Sequence, residues 1–223
     1  MEIKPIAHIR SPYTDKFGIP RQSGIVTNIE STIVFEPEYR EPEALREIET
    51  FEYLWIIWHF SAVPAGQWSP TVRPPRLGGN RRVGVFASRS PFRPNAIGLS
   101  AVRLHSVEWN TSKGPILHVE GADMLDGTPI FDIKPYIAYA DAHPEAQSGF
   151  AQETPKEKLK VQIDQYLLER IPAKHRETIV QILSLDPRPS YHKDGNRVYG
   201  FRFDTKEIKF KVNGNMLTVV EVG

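Results

Sequence analysis

Three short stretches of this 223-residue chain carry residue types that could grip a ligand. The first runs from 88 to 104, SRSPFRPNAIGLSAVRL. Pro91 and Pro94 restrict its backbone and lower the entropy lost on binding. Arg89 and Arg93 flank Phe92, joining charge to a stacking face, and the amide of Asn95 matches the donor–acceptor edge of adenine. The second stretch is Pro20-Arg21-Gln22-Ser23-Gly24: a cation, an amide, a hydroxyl, and a glycine that lets backbone come close to a ligand. The third, from Leu125 to Tyr136, gathers Asp126, Asp132, Lys134 and Tyr136 around a turn. On spacing alone, Asp126-Gly127 reads first as a β-turn and second as a site.

What is missing narrows the chemistry. No Gly-x-Gly-x-x-Gly follows a strand and no phosphate-binding P-loop occurs. Neither His-Glu-x-x-His nor Gly-x-Ser-x-Gly is present. There is no cysteine, which removes disulfides, thiolate zinc sites, iron–sulfur clusters and cysteine nucleophiles. His105 and His118 could meet across strands, but two ligands are too few for zinc, so no metal is expected. No run of 18 apolar residues occurs, so no membrane span is expected. The opening Met1-Glu2-Ile3-Lys4-Pro5 lacks the apolar core of a signal peptide, which leaves a cytoplasmic protein as the default.

Charge is segregated along the chain. From Tyr53 to Val107 there is no Asp, Glu or Lys, yet there are seven arginines: Arg73, Arg76, Arg81, Arg82, Arg89, Arg93 and Arg103. The remainder holds 21 basic and 27 acidic residues. A single-sign field attracts phosphate or carboxylate, and arginine favours bidentate or stacked contacts. Any one of these could pair with a distant acid; seven together read as a surface for an anion. Basic loops with aromatics suit single-stranded RNA, whose bases are splayed and stacked.

The elements that position these loops read mainly as β. Ile3 to Ile9, Ile25 to Phe35, Val83 to Phe86, Ile97 to Trp109, Ile116 to Val119 and Ile130 to Pro135 are expected strands. The continuous run Tyr53 to Phe60, YLWIIWHF, predicts a strand buried on both faces. Many short strands with Gly/Pro turns predict a barrel or sandwich. After a polar linker near 141–152 the pattern changes. Thr154-Pro155-Lys156-Glu157 is a capping box, with Leu159, Ile163, Tyr166 and Leu167 following at helical spacing. A second helix is expected from Pro172, burying Ile179, Ile182 and Leu183, and then three strands with a hairpin at Asn213-Gly214. The expected organisation is a β-barrel domain over 1–145 and a smaller α+β domain over 146–223.

The blocks PRQSG (20–24), LWIIWHF (54–60), TVRPPRLGG (71–79), GVFASRSPFRPNAIGLSAVRL (84–104), DGTPIFDIKPY (126–136) and DPRPSY (186–191) occur in this order. Together they closely resemble the TsaA-like tRNA methyltransferase family, also called TrmO, over nearly the whole chain. The resemblance implies an S-adenosyl-L-methionine-dependent enzyme whose β-barrel is not a Rossmann fold. It implies methylation of the exocyclic nitrogen of threonylcarbamoyl-adenosine beside the tRNA anticodon, a homodimer, and a C-terminal domain that helps to hold tRNA. Carried onto this chain, cofactor contacts fall on Gln22, Ser23, Gly24, Phe60, Ser61, Arg89, Leu99, Asp126, Gly127, Thr128 and Pro129. Phe60-Ser61 departs from the Phe-His of many related sequences, which leaves a backbone contact there, and Ala96 replaces a proline.

Methyl transfer from a sulfonium is an in-line displacement governed by alignment. The acceptor nitrogen bears a carbonyl, so its lone pair is delocalised, its proton is more acidic, and a general base helps. Asp126 or Asp132 is the expected base; capping of turns or pairing with arginines is the competing role. Arg73, Arg76, Arg81, Arg82 and Arg93, with Asn95, Lys134, Tyr136 and Arg188, are the expected RNA contacts, with a purely structural turn as the competing role of Arg188. A non-catalytic RNA-binding module and a small-molecule methyltransferase remain the rival readings.

Overall fold

A computed structural model describes residues 2–64, 66–74, 77, 81–152, 158–188 and 194–223. Eight strands precede residue 136: β1 (Ala7–Arg10), β2 (Glu30–Phe35), β3 (Tyr53–His59), β4 (Thr71–Val72), β5 (Val83–Gly84), β6 (Ile97–Glu108), β7 (Ile116–Glu120) and β8 (Pro129–Pro135). Antiparallel pairing runs β1-β2-β7-β6-β3-β8, and β8 returns to β1 through Ile130 and Ala7, closing a ring. β4 and β5 form a separate ribbon within the arginine-rich connection from β3 to β6.

The ring follows from side chains alternating in direction along each strand. Ile9, Ile33, Leu54, Ile56, Trp58, Val102, Leu117, Val119, Met124 and Ile130 form one buried cluster. The run YLWIIWHF is therefore not buried on both faces. Leu54, Ile56 and Trp58 are buried, while Trp55, Ile57 and His59 are half-exposed, because a closed ring has one interior. β6 inverts a simple apolar reading: Gly98, Ser100 and Val102 are buried, whereas Ile97 and Leu99 are 37% and 55% exposed. Trp58 is the cause. Gly98 lies opposite it, and the indole fills the space a side chain at 98 would need.

The C-terminal part contains β9 (Lys160–Gln162), β10 (Tyr199–Phe203), β11 (Lys206–Asn213) and β12 (Met216–Val222), in sheet order β10-β11-β12-β9. Among the described residues three α-helices follow the ring: α1 (Ala138–Asp141), α2 (Gln165–Glu169) and α3 (Ala173–Ser184). α3 buries Ile179, Ile182 and Leu183 as expected, and Asn213 ends one arm of the expected hairpin. The helix expected from Thr154 differs. Residues 154–157 lie outside the described residues, and Lys160–Gln162 is a strand parallel to β12, Val161 facing Leu217. Leu159 and Ile163 pack against the apolar cluster all the same, so their spacing reported burial and not helix.

Residues 11–29 join the two parts. Tyr13, Val26 and Ile29 belong to the same buried cluster as Phe201, Phe203, Ile179 and Val219. Asp204 N–H donates to Pro12 O at 2.7 Å, and Thr178 Oγ1 to Asn28 O at 3.0 Å. Tyr13 meets Phe203 edge-on at 5.7 Å. The loop that contains Gln22 is thus held by the C-terminal core.

Candidate functional site

A cavity of about 810 Å³ opens where β3 ends and β6 begins, a volume suited to a nucleoside-sized ligand. Trp58, Phe60, Leu99 and Thr128 line it, with Gln22, Arg89 and Arg93 contributing polar groups. Trp58 and Phe60 sit 4.2 Å apart between ring centroids. Beside it lies a wider cavity of about 1260 Å³, which shares Gln22, Phe60, Ser88, Arg89 and Phe92 with the first. Its wall adds Arg73 and Arg82, and no carboxylate lines it among the described residues.

Local bonds set the loops. Arg93 Nη1 donates to Ser88 O at 3.1 Å and Ser90 O at 3.2 Å, so this arginine shapes the proline-rich turn from within. Arg89 Nη1 donates to Gln22 Oε1, which ties the first two sequence stretches together. Gly24 and Gly121, both at positive φ (73° and 78°), bring their backbones into a 2.9 Å bond. Phe60 N–H donates to Ala96 O at 2.8 Å, so the position that lacks the family's proline still fastens β3 to the turn before β6.

Of the expected cofactor contacts, Gln22, Phe60, Ser61, Arg89, Leu99 and Thr128 line the first cavity. Ser23, Gly24, Asp126, Gly127 and Pro129 line neither cavity. Asp126 accepts from Ser11 N–H at 3.1 Å and stands 3.7 Å from Arg10, while Gly127 N–H reaches Ile9 O at 2.9 Å. Asp132 pairs with Lys134 at 2.8 Å and accepts from Ile133 N–H. The two acids expected as bases therefore serve a turn and a strand.

The expected RNA contacts divide similarly. Arg73 and Arg82 line the wider cavity, and Arg82 Nε donates to Thr71 Oγ1 at 2.8 Å. Arg81 and Asn95 are exposed outside both cavities, and Arg76 lies outside the described residues. Arg103 is taken by Glu52 and Glu120, both at 3.4 Å. Tyr136 packs on Trp55 (5.4 Å) and Tyr53 (6.2 Å) at the outer wall. Arg188 forms a bidentate pair with Asp186 at 2.8 and 2.9 Å and stays largely buried, so the geometry gives it a turn to hold. His105 and His118 pair with glutamates, and no metal-ligating cluster occurs among the described residues.

One residue that the sequence reading missed lies in the first cavity: Asp123. Burial pushes its carboxyl above the usual range, opposed by the Ser100 hydroxyl, its own N–H and that of Ser23, and the Arg89 charge. A lone acid in the apolar run Ala122 to Leu125, just before the Asp126-Gly127 turn, was the only local signal.

The chain is thus a β-protein whose closed antiparallel ring carries an aromatic, arginine-edged cavity at its mouth. Residues 8–142 match the family model of the tRNA-methyltransferase O N-terminal domain, and 154–223 that of the TrmO C-terminal domain. The tRNA (adenine(37)-N6)-methyltransferase of Escherichia coli (strain K12) is 41% identical over 198 residues, 86% of this chain and 84% of its own. That of Eikenella corrodens is 42% identical over 173 residues, 78% of this chain and 97% of its own. The crystal structure of TrmO from Pseudomonas aeruginosa matches with a TM-score of 0.78 at 30% identity, covering 100% of this chain and 98% of that one. The chain belongs to the TrmO family of tRNA methyltransferases.

Proposed function

We propose that this protein methylates the exocyclic nitrogen of adenosine 37 in tRNA, with S-adenosylmethionine as donor and threonylcarbamoyl-adenosine as the acceptor. The observation that carries this is the joined pair of cavities, one aromatic and nucleoside-sized, the other walled by arginines. The names of the relatives, tRNA (adenine(37)-N6)-methyltransferase and S-adenosylmethionine-dependent methyltransferase, support it. We read the closed ring as the family's β-barrel, distinct from a Rossmann fold, with the division near residue 146 separating it from a tRNA-holding domain.

The residues present fit the donor. The first cavity offers aromatic faces at Trp58 and Phe60, the cation–amide pair Arg89–Gln22, and the hydroxyl of Thr128. S-adenosylmethionine supplies a methyl on a sulfonium centre when bound. The chain's own work is positional: the apolar wall excludes water, Arg89 and Gln22 fix polar groups, and Ser23, Gly24, Asp126, Gly127 and Pro129 hold the loops that frame the mouth. Arg73 and Arg82 on the cavity wall bind phosphates or the threonyl carboxylate, and Arg76, Arg81, Arg93, Asn95 and Lys134 add further RNA contacts. Exposed Tyr53 on the outer wall, with Tyr136 packed beside it, suits a homodimer, and a tRNA-acting enzyme of this kind works in the cytoplasm. Among the described residues no helix is long and apolar enough to cross a membrane.

The test compares two tRNAs in an assay with methyl-labelled S-adenosylmethionine, one bearing threonylcarbamoyl-adenosine and one unmodified. Label in the first alone is expected. Equal label in both removes the modified base as the recognised group, and tRNA binding without label makes the protein an RNA-binding module.

A further inference from the structure

Asp123 is a titratable group in the cavity wall that none of the positional roles above uses. Its carboxylate ends a one-way hydrogen-bond chain. Trp58 Nε1–H donates to Ser100 Oγ at 3.0 Å, and Ser100 Oγ–H donates to Asp123 Oδ1 at 2.6 Å. An indole N–H can only donate and an ionised carboxylate can only accept, so while Asp123 is ionised the chain runs one way and the carboxylate is its acceptor. Ser100 is 2% exposed, so water does not compete for its proton. The backbone N–H groups of Ser23 and of Asp123 itself also favour the ionised carboxylate. A carboxylate has about four acceptor positions, and the Ser100 hydroxyl takes one, so the carboxylate can also accept from a ligand in the cavity. Asp126 and Asp132, by contrast, face Arg10, Ser11 and Lys134 outside it.

We propose that Asp123 is the general base of the methyl transfer. The inference rests on the proposed reaction. The new N–CH₃ bond forms as the S–CH₃ bond breaks, the breaking bond's electron pair stays on sulfur, and the proton of the acceptor N–H passes to Asp123. The proton then leaves to solvent when product departs. The Trp58–Ser100 chain is what keeps the receiving carboxylate oriented, because both donors sit on paired ring strands, β3 and β6. The titratable and charged groups facing Asp123 are Arg89, from the proline-rich turn, which favours its ionised form, and Tyr13, from the 11–29 loop, whose own ionisation it opposes.

Four measurements decide the matter together. Single-turnover methylation of modified tRNA at saturating donor is followed from about pH 5 to 9 for wild type, Asp123→Asn and Ser100→Ala. Donor affinity is measured by calorimetry, and folding by thermal melting. The Asp123 carboxyl is titrated in the free protein by carbon-13 NMR. The expected result is a wild-type rate that rises with unit slope to a plateau. Asp123→Asn is expected to lose about 100-fold or more in rate and to lose that rise, with donor affinity held within about threefold. In Ser100→Ala, both the rate inflection and the NMR titration move to higher pH, because a donor to the ionised form is gone. This arm stands even if Asp123→Asn melts early. The proposal is overturned if Asp123→Asn keeps the rise, or if it weakens donor binding while the saturated rate is unchanged, which would make Asp123 a binding group. A wild type that labels no tRNA at all removes the reaction instead, and the failure is thereby told apart from that of Asp123.

Discussion

The indole of Trp58 stands where a side chain at position 98 would be: a Cβ on Gly98 would lie 2.3 Å from Trp58 Cε2 and 2.5 Å from its Cζ2. Trp58 also lines the first cavity and holds Ser100 by a hydrogen bond, so one pair of residues links ring packing to the site. Gly98→Ala must displace the indole. The expected cost is about 1–3 kcal/mol by urea unfolding, with weaker donor binding, and a variant of wild-type stability would mean that the indole has room to move.

Gly18 plays a similar part within the 11–29 loop. A Cβ there would lie 2.6 Å from Phe201 Cδ2 in the C-terminal core. Because this loop carries Gln22, Gly18→Ala is expected to weaken donor affinity about threefold to tenfold although it touches neither cavity. Calorimetry checks this, and unchanged affinity would show that Gln22 is placed by Arg89 alone.

Arg73 and Arg82 should bind the anionic acceptor, whereas Arg188 should not. Each of Arg73→Ala and Arg82→Ala is expected to reduce the salt slope of tRNA binding by about 1. Arg188→Ala should leave that slope alone and cost about 1 kcal/mol of stability, since Asp186 loses its bidentate partner. Filter binding over a salt series separates the two behaviours.

His118 supplies a pH dependence. Its hydrogen bond to Glu30 raises its pKa above the ordinary value near 6.5, against the opposing effect of burial. A raised folded-state pKa means that stabilisation is fully present below the unfolded value and fades as pH rises through the folded one. The stability difference between wild type and His118→Gln should therefore be largest below about pH 6.5 and shrink above it, as measured by urea unfolding at several pH values.

The lining of the first cavity was legible where its residues are local. Arg89 and Gln22 stood out because proline, glycine and unusual charge mark their loops, while Phe60 came from the family resemblance. Asp123 did not, since its hydrogen-bond chain joins residues 23 and 42 positions apart that only ring closure brings together. For Arg188 an RNA contact and a structural turn both stayed open, because its charge is visible in the sequence while its pairing geometry with Asp186 is not. The strand at Lys160–Gln162 escaped because three residues at a parallel edge carry no period of their own, and the flanking apolar spacing fits a helix equally well. The outward turn of Leu99 follows from Trp58 claiming the interior, a contact between strands that no local pattern records.

The central claim is that the cavity at the ring's mouth seats the methyl donor. Leu99 lines that cavity and is 55% exposed, so Leu99→Trp fills space there with little effect on folding. Calorimetric titration of S-adenosylmethionine into wild type and Leu99→Trp, both checked by thermal melting, is the direct measurement. The account expects wild type to bind and the variant to bind at least about tenfold more weakly at equal melting temperature. Equal affinities for the two proteins would contradict it and move the donor to another surface.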